Sequence, residues 1–231
     1  LWGENDPARL TWLDPPAPAA IDAARTELIN LEVIDPSGRL TALGRSAAWL
    51  PLPPRLAMML LRAAAAGEAE VAADIAAVMV ERGLGGNDSD IALRLSAFRA
   101  DRGRRAQDMR RLARNWARTA TDQIGRTAVR TPLSHAAILA FAFPDRLAKA
   151  RDRSGSYLLA SGRGARLGDG DPLSRSDFLV VAEMTGTAAS ARILLAASMA
   201  EASLNSKPLS APRPDATITA VGVAKPSAQG Q

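Results

Sequence analysis

Leu40–Leu61 reads LTALGRSAAWLPLPPRLAMMLL. A short strand-like start runs into a helix, a proline-stiffened elbow and a second helix. Gly44 supplies a tight point, and Pro51, Pro53 and Pro54 fix φ across the joint. Pro54 suits the first turn of the second helix, where its missing N–H is not needed. Leu56, Met59, Leu60 and Ala63 then recur at the spacing of one helical face. Such an elbow sets the angle between the segments on its two sides.

Upstream, residues 1–19 are rich in Pro, Asp and Trp and read as an extended lead-in, with Trp2, Leu10, Trp12 and Leu13 expected to anchor it on the next unit. Ala20–Val33 has a helical pattern, with Ile21, Ala24, Leu28 and Leu31 on one side. Asp35-Pro36-Ser37-Gly38 is a turn signal, and Arg39-Leu40-Thr41 fits a short strand. Helix, turn, strand and helix in this order suit a small winged-helix domain. Downstream, helices are expected over Pro54–Ala66 and Glu68–Arg82, the second with Val71, Ile75, Val78 and Met79 as its stripe. After the break at Gly83–Asn87, Asp88 or Ser89 can cap a third helix carrying Ile91, Leu95 and Phe98.

The charge is distributed unevenly. Residues 1–93 carry 7 basic and 13 acidic side chains, residues 94–130 carry 11 and 3, and residues 131–231 carry 11 and 8. The acidic first third opposes the electrostatic term that dominates nucleic-acid affinity, so its winged helix reads as a spacer rather than a DNA reader. The chain has no cysteine, which excludes disulfides and thiolate zinc sites. No apolar run approaches the roughly twenty residues of a membrane span, and the cytoplasm is the expected compartment.

The basic excess falls on one helix after Gly103. At 100° per residue from Met109, the side chains of Leu112, Ala113, Trp116, Ala120 and Ile124 fall within about 60° of it, while Arg110, Arg111, Arg114 and Arg118 fall between about 100° and 200°. An apolar face therefore adjoins a face of four arginines, and no Glu at i±4 relieves their repulsion. The pattern points to an anionic partner.

Past Thr131-Pro132, Ser134 can cap a helix over Ala136–Phe143 that Pro144 closes. Tyr157–Ala160, Phe178–Ala182 and Ala191–Leu195 then read as strands of a small β unit, and residues 206–231 as a disordered tail.

With Trp12–Pro16 (WLDPP), the elbow resembles the region just after the motor of DEAH-box helicases, where a winged helix with an LTxLGRxxxxLPLxPRLAxML pattern leads into a helical ratchet domain. AFPDRLA at Ala142–Ala148, YLLASGRGA at Tyr157–Ala165 and LVVAE at Leu179–Glu183 resemble the HrpB branch of that family. The resemblance covers roughly residues 1–200 and implies a C-terminal fragment of an ATP-dependent RNA helicase. The expected fold is mainly α with a C-terminal β section: a winged helix (1–50), a helical ratchet bundle (51–131) and a partial OB-like β-barrel (132–205) ahead of the tail. An opening at Leu1 rather than Met fits the interior of a longer protein.

The partners so implied are single-stranded RNA or other nucleic acid and the RecA-like motor domains of the same full-length protein, with no membrane. ATP and Mg belong to the complete helicase. This chain has no GxxxxGK[ST] loop and no DEAH sequence, so it is expected to hold no cofactor and not to hydrolyse ATP alone.

Other chemistry is sparse. His135 is the single histidine, Asp169 and Asp171 lack a companion base, and no nucleophile stands out. Gly162-Arg163-Gly164 fits a hairpin turn whose arginine could be displayed to a phosphate. The candidate phosphate contacts are Arg110, Arg111, Arg114 and Arg118, with Arg105 and Arg163 beside them; no catalytic or metal residue is expected. Two other readings stay open: a helical module docking an acidic protein, and a winged-helix DNA-binding regulator.

Overall fold

The computed structural model describes residues 6–125, 130–186 and 191–201. Trp2 and the tail from 206 onward lie outside the described residues. Seven helices come first: α1 (Pro18–Asn30), α2 (Ala42–Ala47), α3 (Pro54–Ala65), α4 (Ala69–Val80), α5 (Ile91–Ala100), α6 (Arg104–Ile124) and α7 (His135–Ala142). Strands β1 (Leu147–Ala150), β2 (Ser156–Leu159), β3 (Gly164–Arg166), β4 (Phe178–Thr185) and β5 (Ala191–Met199) come after them.

At the elbow, Thr41 caps α2 by accepting from the Gly44 N–H at 2.8 Å, and its hydroxyl donates to the Glu32 carbonyl at 2.6 Å. Gly44 is not a turn residue. It sits inside α2, where an added Cβ would lie 2.0 Å from the Val33 carbonyl oxygen. The tightness read from the sequence is thus one of packing. The strand expected at Arg39–Thr41 reduces to a single bridge between Ile34 and Leu40. The Asp35 carboxylate closes the turn between them, accepting from the backbone N–H groups of Ser37 (2.9 Å) and Arg39 (3.0 Å). The Ser37 hydroxyl first, then the Arg39 N–H, hold its pKa down at about 2.

α3 is the axle of the helical part, packed on α2, α4, α6 and α7. Being enclosed from several sides, it buries Met58 and Leu61 as well as the expected face of Leu56, Met59, Leu60 and Ala63. Two arginines one heptad apart on α3 tie its neighbours together. Arg55 donates to Glu27 (2.7 Å), Asp145 (2.8 Å) and the Ala142 carbonyl (2.9 Å). Arg62 donates to Glu32 (3.0 Å) and the carbonyls of Leu31 (3.1 Å) and Phe141 (3.4 Å). Burial works against the Arg55 charge, yet the hydrogen bonds and charges of Glu27 and Asp145 outweigh it and raise its pKa.

The lead-in departs from expectation. Leu10, Trp12 and Leu13 are 47%, 46% and 105% exposed, and the Trp12 indole N–H only turns back to the Pro7 carbonyl at 2.7 Å. α1 has no buried residue. Leu10 and Trp12 share an open hollow with Ile21 of α1, so the segment lies against α1 without being buried on it.

The cap of α5 is Asp90, not Asp88 or Ser89; it accepts from Ala92 N at 2.8 Å. Ser89 is used elsewhere, donating to Asp171 at 2.5 Å, while its carbonyl accepts from Ala196 N at 2.8 Å. This seam fastens the start of α5 to the barrel. Ser134 caps α7 as expected, accepting from Ala137 N at 3.1 Å. α7 packs on α3 and on β4 and β5.

The strands close in the order β1-β2-β3-β5-β4, with β1 paired to β4, and with β3 and β5 parallel. The sequence reading allowed for only part of a barrel; β1 and β3, of four and three residues, complete it. Inside, Tyr157 shares its hydroxyl between the carbonyls of Leu173 and Ser176, each at 2.8 Å, and burial, followed by the charges of Asp171 and Asp177, pushes its pKa to about 12. Tyr157→Phe should lower stability by about 1–2 kcal/mol, because it strips a buried donor from its acceptors. A urea titration followed by circular dichroism checks this, and an unchanged midpoint would show that those carbonyls are satisfied otherwise.

Candidate nucleic-acid interface

α6 starts at Gly103, whose N–H is held by the Asp101 carboxylate at 2.7 Å, and lies across α3 and α4. Its buried residues are Ala106, Ala113, Trp116, Ala117 and Ala120. Their mean direction is about 35° from Met109, towards the arginines. Leu112 is left 40% exposed at the far edge, which corrects its place on the apolar face. The alanines explain the rotation, since small side chains let α6 approach α4 closely on that side.

This rotation sorts the arginines. Arg110, nearest the buried face, is half-buried; its guanidinium carbon lies 5.6 Å from the Phe98 ring centre, and Nη1 donates to the Phe98 carbonyl at 2.6 Å. Arg105 reaches across to the residues just after α4, pairing with Glu81 through Nε at 2.7 Å and donating to the Arg82 carbonyl at 2.7 Å. Arg111, Arg114 and Arg118 are exposed and line one groove between α4 and α6, with Glu70 and Asp122 also on its walls. Arg118 donates to Asn115 on its own helix at 2.5 Å. Arg111 and Arg114 have no side-chain hydrogen bond or ion pair among the described residues.

Arg163 lies elsewhere. Gly162, at φ +81, and the hydrogen bond from Leu159 N to the Arg163 carbonyl (2.9 Å) make the expected hairpin between β2 and β3. The side chain is not displayed, however: it is half-buried, and its Nε is buried with no hydrogen-bond partner among the described residues. It belongs to the joint between helices and barrel. There Arg146 stacks 4.7 Å from the Phe143 ring centre and donates to the Ala182 carbonyl at 2.7 Å. Burial first, and then the positive charges of Arg55 and Arg163, depress the Arg146 pKa against the pull of Asp145 and Glu27.

Neighbours at i±4 along α6 leave out the carboxylates Glu70 and Asp74 that α4 brings alongside. Asp74 pairs with Arg99 at 2.8 Å, and Glu70 flanks Arg110 and Arg114. Of the six candidates, Arg105 is paired with Glu81, Arg110 is packed on Phe98 and Arg163 is half-buried, which leaves Arg111, Arg114 and Arg118 as the exposed cations of the groove. His135 is half-buried, and burial, then Arg99, lowers its pKa. Among the described residues no group of three His, Cys, Asp or Glu could hold a metal, and no helix is long and apolar enough to cross a membrane.

Known proteins resemble this arrangement. The chain is 37% identical over 198 residues to the ATP-dependent RNA helicase HrpB of Escherichia coli K12, a match that takes in 84% of this chain and 23% of that protein. It is 37% identical over 75 residues to the probable ATP-dependent RNA helicase DHX40 of Rattus norvegicus, covering 32% of this chain and 10% of that one. A crystal structure of the E. coli DExH-box NTPase HrpB superposes with a TM-score of 0.72 at 33% identity, over 88% of this chain and 24% of the other. A second, of the E. coli DEAH/RHA helicase HrpB, gives 0.70 at 32% identity over 87% and 24%. No protein-family model matches the sequence. The chain thus spans under a third of the length of each of these relatives.

Proposed function

Because this chain is a homologue of the C-terminal region of HrpB, within the DEAH-box family, we propose that it serves as the accessory part of an ATP-dependent RNA helicase and holds single-stranded RNA. The observation that carries this reading is the groove of Arg111, Arg114 and Arg118, three exposed cations on a rigid helix. Guanidinium groups on a regular spacing neutralise backbone phosphates without reading bases, which suits a strand that must slide. In this reading the segment through α2 is the winged helix, α3 to α6 form the ratchet bundle, and the barrel is OB-like; its parallel β3–β5 pairing and closed order support that last assignment.

The reading further places these units against the RecA-like motor domains of the full-length protein in the cytoplasm, with ATP and Mg held by the motor. The continuous core from α3 through α7 to β4 and β5 supports a block that would move as one body against that motor. The test is fluorescence anisotropy of labelled single-stranded RNA with this chain across a salt series. With three arginines available, the log–log slope should be negative and no steeper than about −2. A flat salt response, or no binding at low salt, would return the groove to protein docking, and a preference for duplex DNA would favour a regulator instead.

A further inference from the structure

The groove that offers Arg111, Arg114 and Arg118 also carries two carboxylates. Glu70 stands in the first turn of α4 on one wall, and Asp122 in the last turn of α6 on the other. Glu70 lines a second hollow as well, with Asp74, Arg110 and Arg114, so Arg114 meets it on both sides. Asp74 on α4 and Glu81 just after it have fixed partners, since Asp74 binds Arg99 at 2.8 Å and Glu81 binds Arg105 through Nε at 2.7 Å. Glu70 and Asp122 form no hydrogen bond or ion pair among the described residues, although cations share their groove. They share the groove with the arginines without forming an ion pair with any of them among the described residues.

We infer that Glu70 and Asp122 are intramolecular competitors for phosphate, tuning the groove to a weak and rapidly reversible grip; this rests on the phosphate-binding reading of the same groove. A polyanion entering the groove meets attraction from three guanidiniums and repulsion from two carboxylates. Each arginine is therefore only partly available to any one phosphate. That is the property required of a surface along which a strand advances, because a contact that released slowly would stall each step. Fixed ion pairs would instead silence the arginines, and bare arginines would trap the strand. Unpaired carboxylates in the same groove give the intermediate case.

The test uses the full chain and a labelled oligouridylate, comparing wild type with Glu70→Gln, Asp122→Asn and the double variant. The amides keep the shape of the groove and delete only charge. Asp169→Asn is the charge-matched control, since Asp169 is fully exposed on the barrel and its one ion pair there, to Arg166, is loose at 3.4 Å. The double variant should bind about threefold to tenfold more tightly at low salt, with the gain shrinking as salt rises. Its log–log salt slope should steepen by up to about 0.7 for each arginine released to a further phosphate. Asp169→Asn should bind as wild type does.

Unchanged affinity in Glu70→Gln and the double variant, while loss of the three arginines still abolishes binding, would overturn this inference and leave the phosphate reading standing. Equal tightening by Asp169→Asn would also overturn it, because net charge rather than the groove would then be responsible. Absence of binding in wild type and every variant would overturn both.

Discussion

Reversing Arg111, Arg114 and Arg118 together to Glu should weaken binding of single-stranded RNA by at least about a hundredfold at low salt, equivalent to about 2.7 kcal/mol. The three side chains are exposed, and two of them make no side-chain hydrogen bond or ion pair among the described residues, so the exchange removes little that holds α6 in place. Thermal melting should stay within a few degrees of wild type while the salt slope collapses. Arg110 supplies the contrast. Its guanidinium packs on Phe98 and bonds the Phe98 carbonyl, so Arg110→Gln should lower the melting temperature and leave most RNA affinity intact. Should the triple variant bind as wild type does, the RNA surface lies elsewhere. Should Arg110→Gln abolish binding without loss of stability, the division of the four arginines into packed and free is wrong.

Gly44→Ala should destabilise the fold by about 3 kcal/mol or more, a fall in melting temperature of roughly 6–12 °C for a chain of this size. The sign separates two physical arguments. Helix propensity by itself favours the alanine by about 1 kcal/mol, since glycine is the poorest ordinary residue in a helix interior. Packing opposes it. The new Cβ would lie 2.0 Å from the Val33 carbonyl oxygen and 2.8 Å from its carbon, both backbone atoms that cannot rotate aside. α2 would have to back away, loosening the Thr41 cap and the hydrogen bond from Thr41 N to Val33 O at 3.1 Å. Thermal unfolding followed by circular dichroism decides it, and a neutral or stabilised Gly44→Ala would mean that α2 adjusts without loss.

Much of this was legible in the chain. Pro54 starting α3, Ser134 capping α7 and the stripe of Ile91, Leu95 and Phe98 are set by neighbours within a few residues, where capping and periodicity operate. The motif resemblance to the HrpB branch came from ordered residues and agrees with the 37% identity to E. coli HrpB. The long helix with a basic face was visible too. What the sequence determined by itself was therefore the run of helices, the proline start of α3, the cap of α7, and the kinship.

Tertiary structure decided which charges are free. Arg110 is occupied by a carbonyl 12 residues away, Arg105 by a carboxylate 24 away, and Arg55 by one 90 away. Tertiary structure also completed the barrel through strands of three and four residues, left Leu13 bare, and made Gly44 a packing site rather than a turn. The reason is one of range. A cap or an apolar stripe is satisfied within a turn or two of helix, so local sequence specifies it. An arginine's partner, a strand's neighbour or a glycine's close contact is set by which element folds against it, and spacing along the chain carries no trace of that.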